Sequence, residues 1–191
     1  MKHGNLGTMP RTPRALVICG PPGSGKTTVG RLVAAQLRAA VLDLDTATAD
    51  LVEVIAVLGG GSNLDDPAFA DLTRSARYAT LRHLAHDSLD AGVDVVLIAP
   101  FSAERRDLVA WGRLHDDLAA HGAIVTMVWI RLSANEVQAR VAQRGAVRDA
   151  AKEDGSWLAA LDLDPPVGEH LALDGLRAPA DLARDVVHAV R

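Results

Sequence analysis

The sequence predicts a three-layer α/β/α domain built on a parallel sheet, and three observations carry that prediction. Short apolar runs bounded by turn residues alternate with stretches of helical spacing, the order from which parallel sheets with right-handed crossovers are made. Two of the runs, Val93 to Ala99 and Ile124 to Ile130, are almost free of polar residues, as strands covered on both faces are. The stretch Gly20-Pro21-Pro22-Gly23-Ser24-Gly25-Lys26-Thr27 fits Gly-x-x-x-x-Gly-Lys-Thr in full and stands where the first apolar run turns into the first helical pattern.

Taken in order, Ala15 to Cys19 is the first strand, and Val29, Leu32, Val33 and Leu37 give Thr27 to Ala39 one apolar helical face. Val41 to Asp45 reads as a second strand in which carboxylates alternate with leucines, so that Asp43 and Asp45 point the same way at its end. Ala47 to Leu58 is a short helix, closed by the loop Gly59 to Asn63. Asp65-Asp66-Pro67 opens a long helix through Leu72, Arg77, Leu81, Leu84 and Leu89, which stops at Ala91-Gly92. Val93 to Ala99 is the third strand, and Ser102 caps a single helix reaching His121, with Gly122 as its stop. After the fourth strand, Ser133-Ala134-Asn135-Glu136 is a capping box for a helix ending at Arg144. The segment Ala146 to Gly168, rich in Asp and Pro, is a surface excursion with a short helix near Trp157 to Leu161. Leu171 to Leu173 is the last strand, and Pro179 opens a closing helix through Leu182, Val186 and Val190.

The 191 residues, 49% hydrophobic and 23% charged, suit one buried domain, residues 14–191, behind a loose tail of residues 1–13. No apolar stretch reaches the roughly eighteen residues of a membrane span. A net charge of −4 with scattered basic residues speaks against nucleic acid and acidic membranes as partners. A soluble cytoplasmic protein, monomer or homodimer, is expected. Cys19, the single cysteine, excludes an internal disulfide and reads as a small buried residue. His83 and His86 lack a third ligand partner at zinc spacing and read as surface residues.

The glycine-rich loop lets backbone N–H groups converge on an anion, and the helix after it adds its positive dipole end. Lys26 reaches the β- and γ-phosphates of a nucleotide, and the Thr27 hydroxyl holds Mg²⁺. Only Lys2, Lys26 and Lys152 of the twenty basic residues are lysine, which sets Lys26 apart in an arginine-rich chain. Beside the loop, Asp43 and Asp45 offer one carboxylate to take a proton from an acceptor hydroxyl and another to order Mg²⁺ through water. The blander reading of the same pair is a capped helix start. Arg140, Arg144 and Arg148 recur every four residues, continued by Lys152, and suit a lid over residues 145–168 that closes on ATP phosphates; a solvated arginine face is the alternative. Arg74, Arg77 and Tyr78, and the pair Arg105-Arg106, are weaker candidates for acceptor contact.

With its loop at Gly20 to Thr27, the strand end Val41 to Asp45, the long arginine-bearing helix after Asp65-Asp66 and the segment Arg140-Val141-Ala142-Gln143-Arg144 in that order, the chain resembles the gluconate kinase and shikimate kinase group of P-loop small-molecule kinases. The resemblance implies the P-loop NTPase fold, a five-stranded parallel sheet in the order 2-3-1-4-5 with an arginine-bearing lid, and ATP and Mg²⁺ as cofactors. It implies transfer of the γ-phosphate to a hydroxyl of a small molecule, with Lys26, Asp45, Arg144 and Arg148 in catalysis. Gly20, Pro21, Pro22, Gly23, Ser24, Gly25, Lys26, Thr27 and Thr28 would hold the nucleotide together with Arg140 stacked on adenine, Arg144 on the phosphates, and Asp174-Gly175-Leu176 bordering the base. Asp45 would be the base, with Thr27 and Asp43 as metal partners. The third strand departs from many P-loop ATPases by ending Leu97-Ile98-Ala99-Pro100 without a carboxylate, which counts against a motor or switch. The acceptor-binding segments match no one member. A nucleoside or nucleotide kinase, and a nucleotide-binding regulatory module without an acceptor, are the alternatives.

Overall fold

Apolar strands that alternate between two buried faces organise the chain. The structure, a computed structural model, describes residues 11–59, 67–144 and 161–191. The strands are β1 (Arg14–Cys19), β2 (Ala40–Asp43), β3 (Val95–Ile98), β4 (Ile124–Arg131) and β5 (Leu171–Asp174). They form a five-stranded sheet in the order β2-β3-β1-β4-β5, every pairing parallel. The register sets Val17 opposite Leu97 and Met127, so the central strand is paired on both edges. The helices are α1 (Lys26–Leu37), α2 (Leu44–Leu58), α3 (Pro67–Asp90), α4 (Ser102–Arg106), α5 (Leu108–Ala120), α6 (Ala134–Arg144) and α7 (Pro179–Ala189).

Because successive strand side chains point to opposite faces, the sheet makes two cores. Val17, Cys19, Leu97 and Trp129 face Leu81 and Leu89 of α3 and Leu114 and Leu118 of α5. Leu16, Ile18, Val96, Ile98 and Val128 face Val29 and Val33 of α1 and Leu182 and Val186 of α7. Each such side chain fully buried contributes about 1.5–3 kcal/mol against the entropy of ordering the chain. This is the expected three-layer arrangement, with the expected strand order.

Two local expectations are corrected. The second strand ends at Asp43, and α2 begins at Leu44 rather than at Ala47. Asp43 has extended backbone, and its Oδ1 accepts the N–H groups of Asp45 (3.0 Å) and Thr46 (3.3 Å), so it is the N-cap. Asp45 therefore lies in the first helical turn and does not alternate with Asp43 along a strand. The helix expected from Ser102 to His121 is divided into α4 and α5. Ser102 is the first residue of α4, behind Phe101 at φ 46°, and no side chain caps that helix. Asp107 breaks the run because its Oδ1 accepts the Val109 N–H at 2.8 Å and starts a second helix. The capping box at Ser133 and Glu136 forms, with the Ser133 N–H donated to Glu136 Oε2 at 2.7 Å. Pro179 occupies the first turn of α7.

At the sheet end away from the phosphate loop, buried Asp94 accepts the Arg14 N–H at 2.8 Å and pairs with Arg11 at 2.7 Å, fastening the start of β1. Of the expected tail, residues 1–10 lie outside the described residues, as do the loop 60–66, the helix expected near Trp157 and most of the proposed lid. No helix among the described residues is long and apolar enough to cross a membrane.

Candidate functional site

All five strands run in one direction, so the loop after β1, the cap of α2 and the start of α4 meet at the carboxyl ends of the strands, where α/β sheets bind ligands. The chain from Gly20 to Gly25 wraps this end. A Cβ on Gly20 would come within 2.6 Å of the Ile130 carbonyl oxygen, so only glycine lets the loop lie this close to β4. Gly25 is the N-cap of α1 at φ 89°, a left-handed conformation that leaves the first amides of α1 facing the loop. The Ser24 hydroxyl is buried and has no hydrogen-bond partner among the described residues, a donor suited to a phosphate oxygen. Lys26 Nζ donates to the Pro21 carbonyl at 2.9 Å, which folds the ammonium across the loop.

Thr27 Oγ1 donates to Asp43 Oδ2 at 2.8 Å. This contact joins the two residues expected to serve the metal, and the donor set, one hydroxyl and one buried carboxylate, suits Mg²⁺ held partly through water. Asp45, with a half-exposed side chain, pairs with Arg77 Nη2 of α3 at 2.7 Å, while Arg77 Nε donates to Thr48 Oγ1 at 2.9 Å. Arg140 bridges two loops of the site: Nη1 donates to Gly23 O at 3.0 Å and Nη2 to Gly175 O at 2.7 Å. It thus ties the loop to the turn Asp174-Gly175 after β5. Thr28 lies exposed on the first turn of α1. Arg148 and the side chain of Arg144 lie outside the described residues.

Arg105 does not face an acceptor, contrary to its weaker reading. Its guanidinium is buried over the Trp129 ring at 4.1 Å and pairs with Asp162 at 3.0 Å, and it donates to the carbonyls of Asp162 (3.2 Å) and Asp164 (3.0 Å). Burial lowers its pKa, opposed by the Asp162 charge. Burial alone would raise the Asp162 carboxyl, but hydrogen bonds from Arg106 and the Asp164 amide and the Arg105 charge outweigh it and hold the carboxyl below its ordinary value. Arg105 is therefore the clamp that fastens the chain returning from the excursion. His86 is half-buried rather than a surface residue: it pairs with Asp117 at 2.9 Å and stacks on His121 at a centroid distance of 4.0 Å. No group of three or more potential ligands among the described residues is placed to hold a metal ion by itself.

A family model described as an AAA domain matches residues 16–162. The chain belongs to the AAA domain family. Its fold is the one shared by P-loop small-molecule kinases of known structure. A sugar kinase from Janibacter sp. HTCC2649 superposes with a TM-score of 0.60 at 21% identity, over 93% of this chain and 94% of that one. The Mycobacterium tuberculosis APS kinase CysC, solved with AMPPNP and APS, superposes with a TM-score of 0.62 at 20% identity, over 95% and 99%. A gluconokinase from Sinorhizobium meliloti 1021 superposes with a TM-score of 0.59 at 19% identity, over 94% and 93%. At such identities the likeness is one of fold. No curated protein matches the sequence.

Proposed function

We propose that this AAA domain protein is an ATP- and Mg²⁺-dependent kinase that transfers the γ-phosphate to a hydroxyl of a small molecule. The observation that carries the reading is the hydrogen bond from Thr27 to Asp43 at the mouth of the phosphate loop, with the Asp45–Arg77 pair beside it. The kinases that share the fold, among them proteins named for sugars, gluconate and APS, support the same reading.

The loop amides and the Ser24 hydroxyl bind the phosphates of ATP, and Lys26 turns from the Pro21 carbonyl to the β- and γ-phosphates. Thr27 and Asp43 would hold Mg²⁺, which when bound neutralises phosphate charge. Asp45 takes the acceptor proton as the acceptor oxygen bonds to the γ-phosphorus and the bond to the ADP oxygen breaks; the proton then passes to solvent, to which Asp45 is open. Arg77 fixes the carboxylate in place. Arg140 holds the loop and the base-side turn in register, and Arg144 and Arg148 bring positive charge over the phosphates from the lid.

ADP release measured with ATP, Mg²⁺ and a broad panel of sugars, sugar acids, hydroxy acids and nucleosides tests this. A hydroxyl compound that raises the rate above background is the expected result, and a nucleoside or nucleotide as the accepted compound would select the nucleoside kinase alternative. If no compound raises the rate while ATP still binds, the protein is a nucleotide-binding module and the kinase reading is wrong.

A further inference from the structure

Glu104 lies in α4, just past the carboxyl end of β3, on the same end of the sheet as the phosphate loop. Its Oε2 is closed off from solvent and has no hydrogen-bond partner among the described residues. A carboxylate oxygen in that state has given up water without gaining a donor, and the fold gains nothing visible in return. The two cations next to it in sequence are committed elsewhere, Arg105 and Arg106 both to Asp162.

Across from α4, the Tyr78 ring of α3 stands edge-on to Phe101 at 5.7 Å. Its Oη accepts the Phe101 N–H at 3.2 Å, which leaves the phenol proton to donate. The Arg74 guanidinium lies over the same ring at 5.0 Å. Burial pushes the Tyr78 phenol up to about 12, with Glu104 adding to the rise and Arg74 opposing it. Burial also pushes Cys19, at the root of the phosphate loop, up to about 12, and Glu104 again adds to it. Tyr78 thus ties α3 to the start of α4, and its neighbour Arg77 on the same helix holds Asp45.

We propose that Glu104 determines acceptor specificity: its buried Oε2 accepts a hydrogen bond from a second polar group of the acceptor, a hydroxyl or an ammonium, while the hydroxyl to be phosphorylated faces Asp45. This rests on the kinase reading above. Tyr78 and Arg74 supply donors to the same region, so the acceptor is a compound with at least two polar groups, one phosphorylated and one held by Glu104. In sequence, Glu104 is indistinguishable from any solvated acid in the first turn of a helix, and only its buried oxygen separates it.

The test measures ADP release with matched pairs, glycerol against serinol and glucose against glucosamine, beside the compound found in the broad panel, in the wild type, Glu104→Gln and Tyr78→Phe. Glu104→Gln should raise the KM for the accepted compound about ten- to a hundredfold, with kcat and the KM for ATP close to wild type. A larger loss for the amine of a pair than for its hydroxyl identifies an ammonium as the held group; equal losses identify a hydroxyl. Tyr78→Phe, which keeps the ring and removes the donor, should raise the same KM by about three- to tenfold. An unchanged acceptor KM in Glu104→Gln overturns the proposal, and so does a change confined to the Mg²⁺ dependence. If no compound raises ADP release in the wild type while ATP binds, the kinase reading fails first and this proposal falls with it.

Discussion

At the scale of single residues, the roles of Asp43 and Asp45 separate by environment. Asp43 is buried, caps α2 and accepts from Thr27, so it is committed to structure and to the loop. Asp45 is open to solvent and pairs with Arg77, which suits a group that must take and release a proton. Asp45→Asn should lower kcat by about 10²- to 10⁴-fold with ATP affinity nearly unchanged, and equal turnover in the mutant, measured by ADP release, would remove Asp45 as the base. Asp43→Ala should cost stability as well, because the α2 cap goes with it, by about 1 kcal/mol in a denaturant titration. The chain has a single tyrosine, so tyrosinate absorbance follows Tyr78 alone. Its folded pKa lies at about 12 against an ordinary value of 10.0, so the proton is held more tightly in the folded state. The stability this contributes is present below about pH 10 and is lost as the pH rises through about 12; a phenol titrating near 10 in the folded protein would contradict the buried placement.

At the scale of elements, the junctions decide more than the interiors. Asp107 is what divides α4 from α5, and Asp107→Ala should cost about 1 kcal/mol by thermal or chemical unfolding through loss of the cap. The segment after residue 161 is fastened to the sheet by Arg105, buried on Trp129 and paired with Asp162. Arg105→Met should destabilise by about 3 kcal/mol, at the low end of the range for a broken buried pair because Arg106 remains beside Asp162. The Asp162 carboxyl is held below its ordinary value of 3.8, so its contribution is present above about pH 4 and is lost as the pH falls through the lowered value. Asp162→Asn should therefore flatten the loss of stability on the acid side while lowering stability at neutral pH. The helix periods and turn residues announced most elements in the sequence. The α4–α5 division escaped because Ser102 and Asp107 both read as caps in the sequence, whereas in the structure Phe101 precedes α4, Ser102 is inside it and Asp107 caps α5.

At the scale of the whole molecule, two cores on the faces of one parallel sheet carry the fold, and Cys19 sits in the first of them, fully buried. As the chain's single cysteine, with its thiol pushed up to about 12 by burial, it should react with a thiol reagent only as fast as the molecule opens globally, and the labelling free energy should equal that from denaturant unfolding. Rapid labelling of the folded protein would show a local opening at the root of the phosphate loop. The sequence by itself determined the layer order and the place of the phosphate loop, because these depend on local spacing: apolar period, glycine positions and the junction of β1 with α1; the junction that sets Asp43 as a cap and Asp45 in the first turn of α2 was misplaced by it. Tertiary structure alone decided that Arg105 is a clamp, that Arg140 ties Gly23 to Gly175, that Arg77 holds Asp45 and that Glu104 keeps a buried oxygen without a partner. Those facts join residues from 24 to 117 positions apart or depend on burial, and charge spacing along one chain carries no information about which distant group a side chain meets.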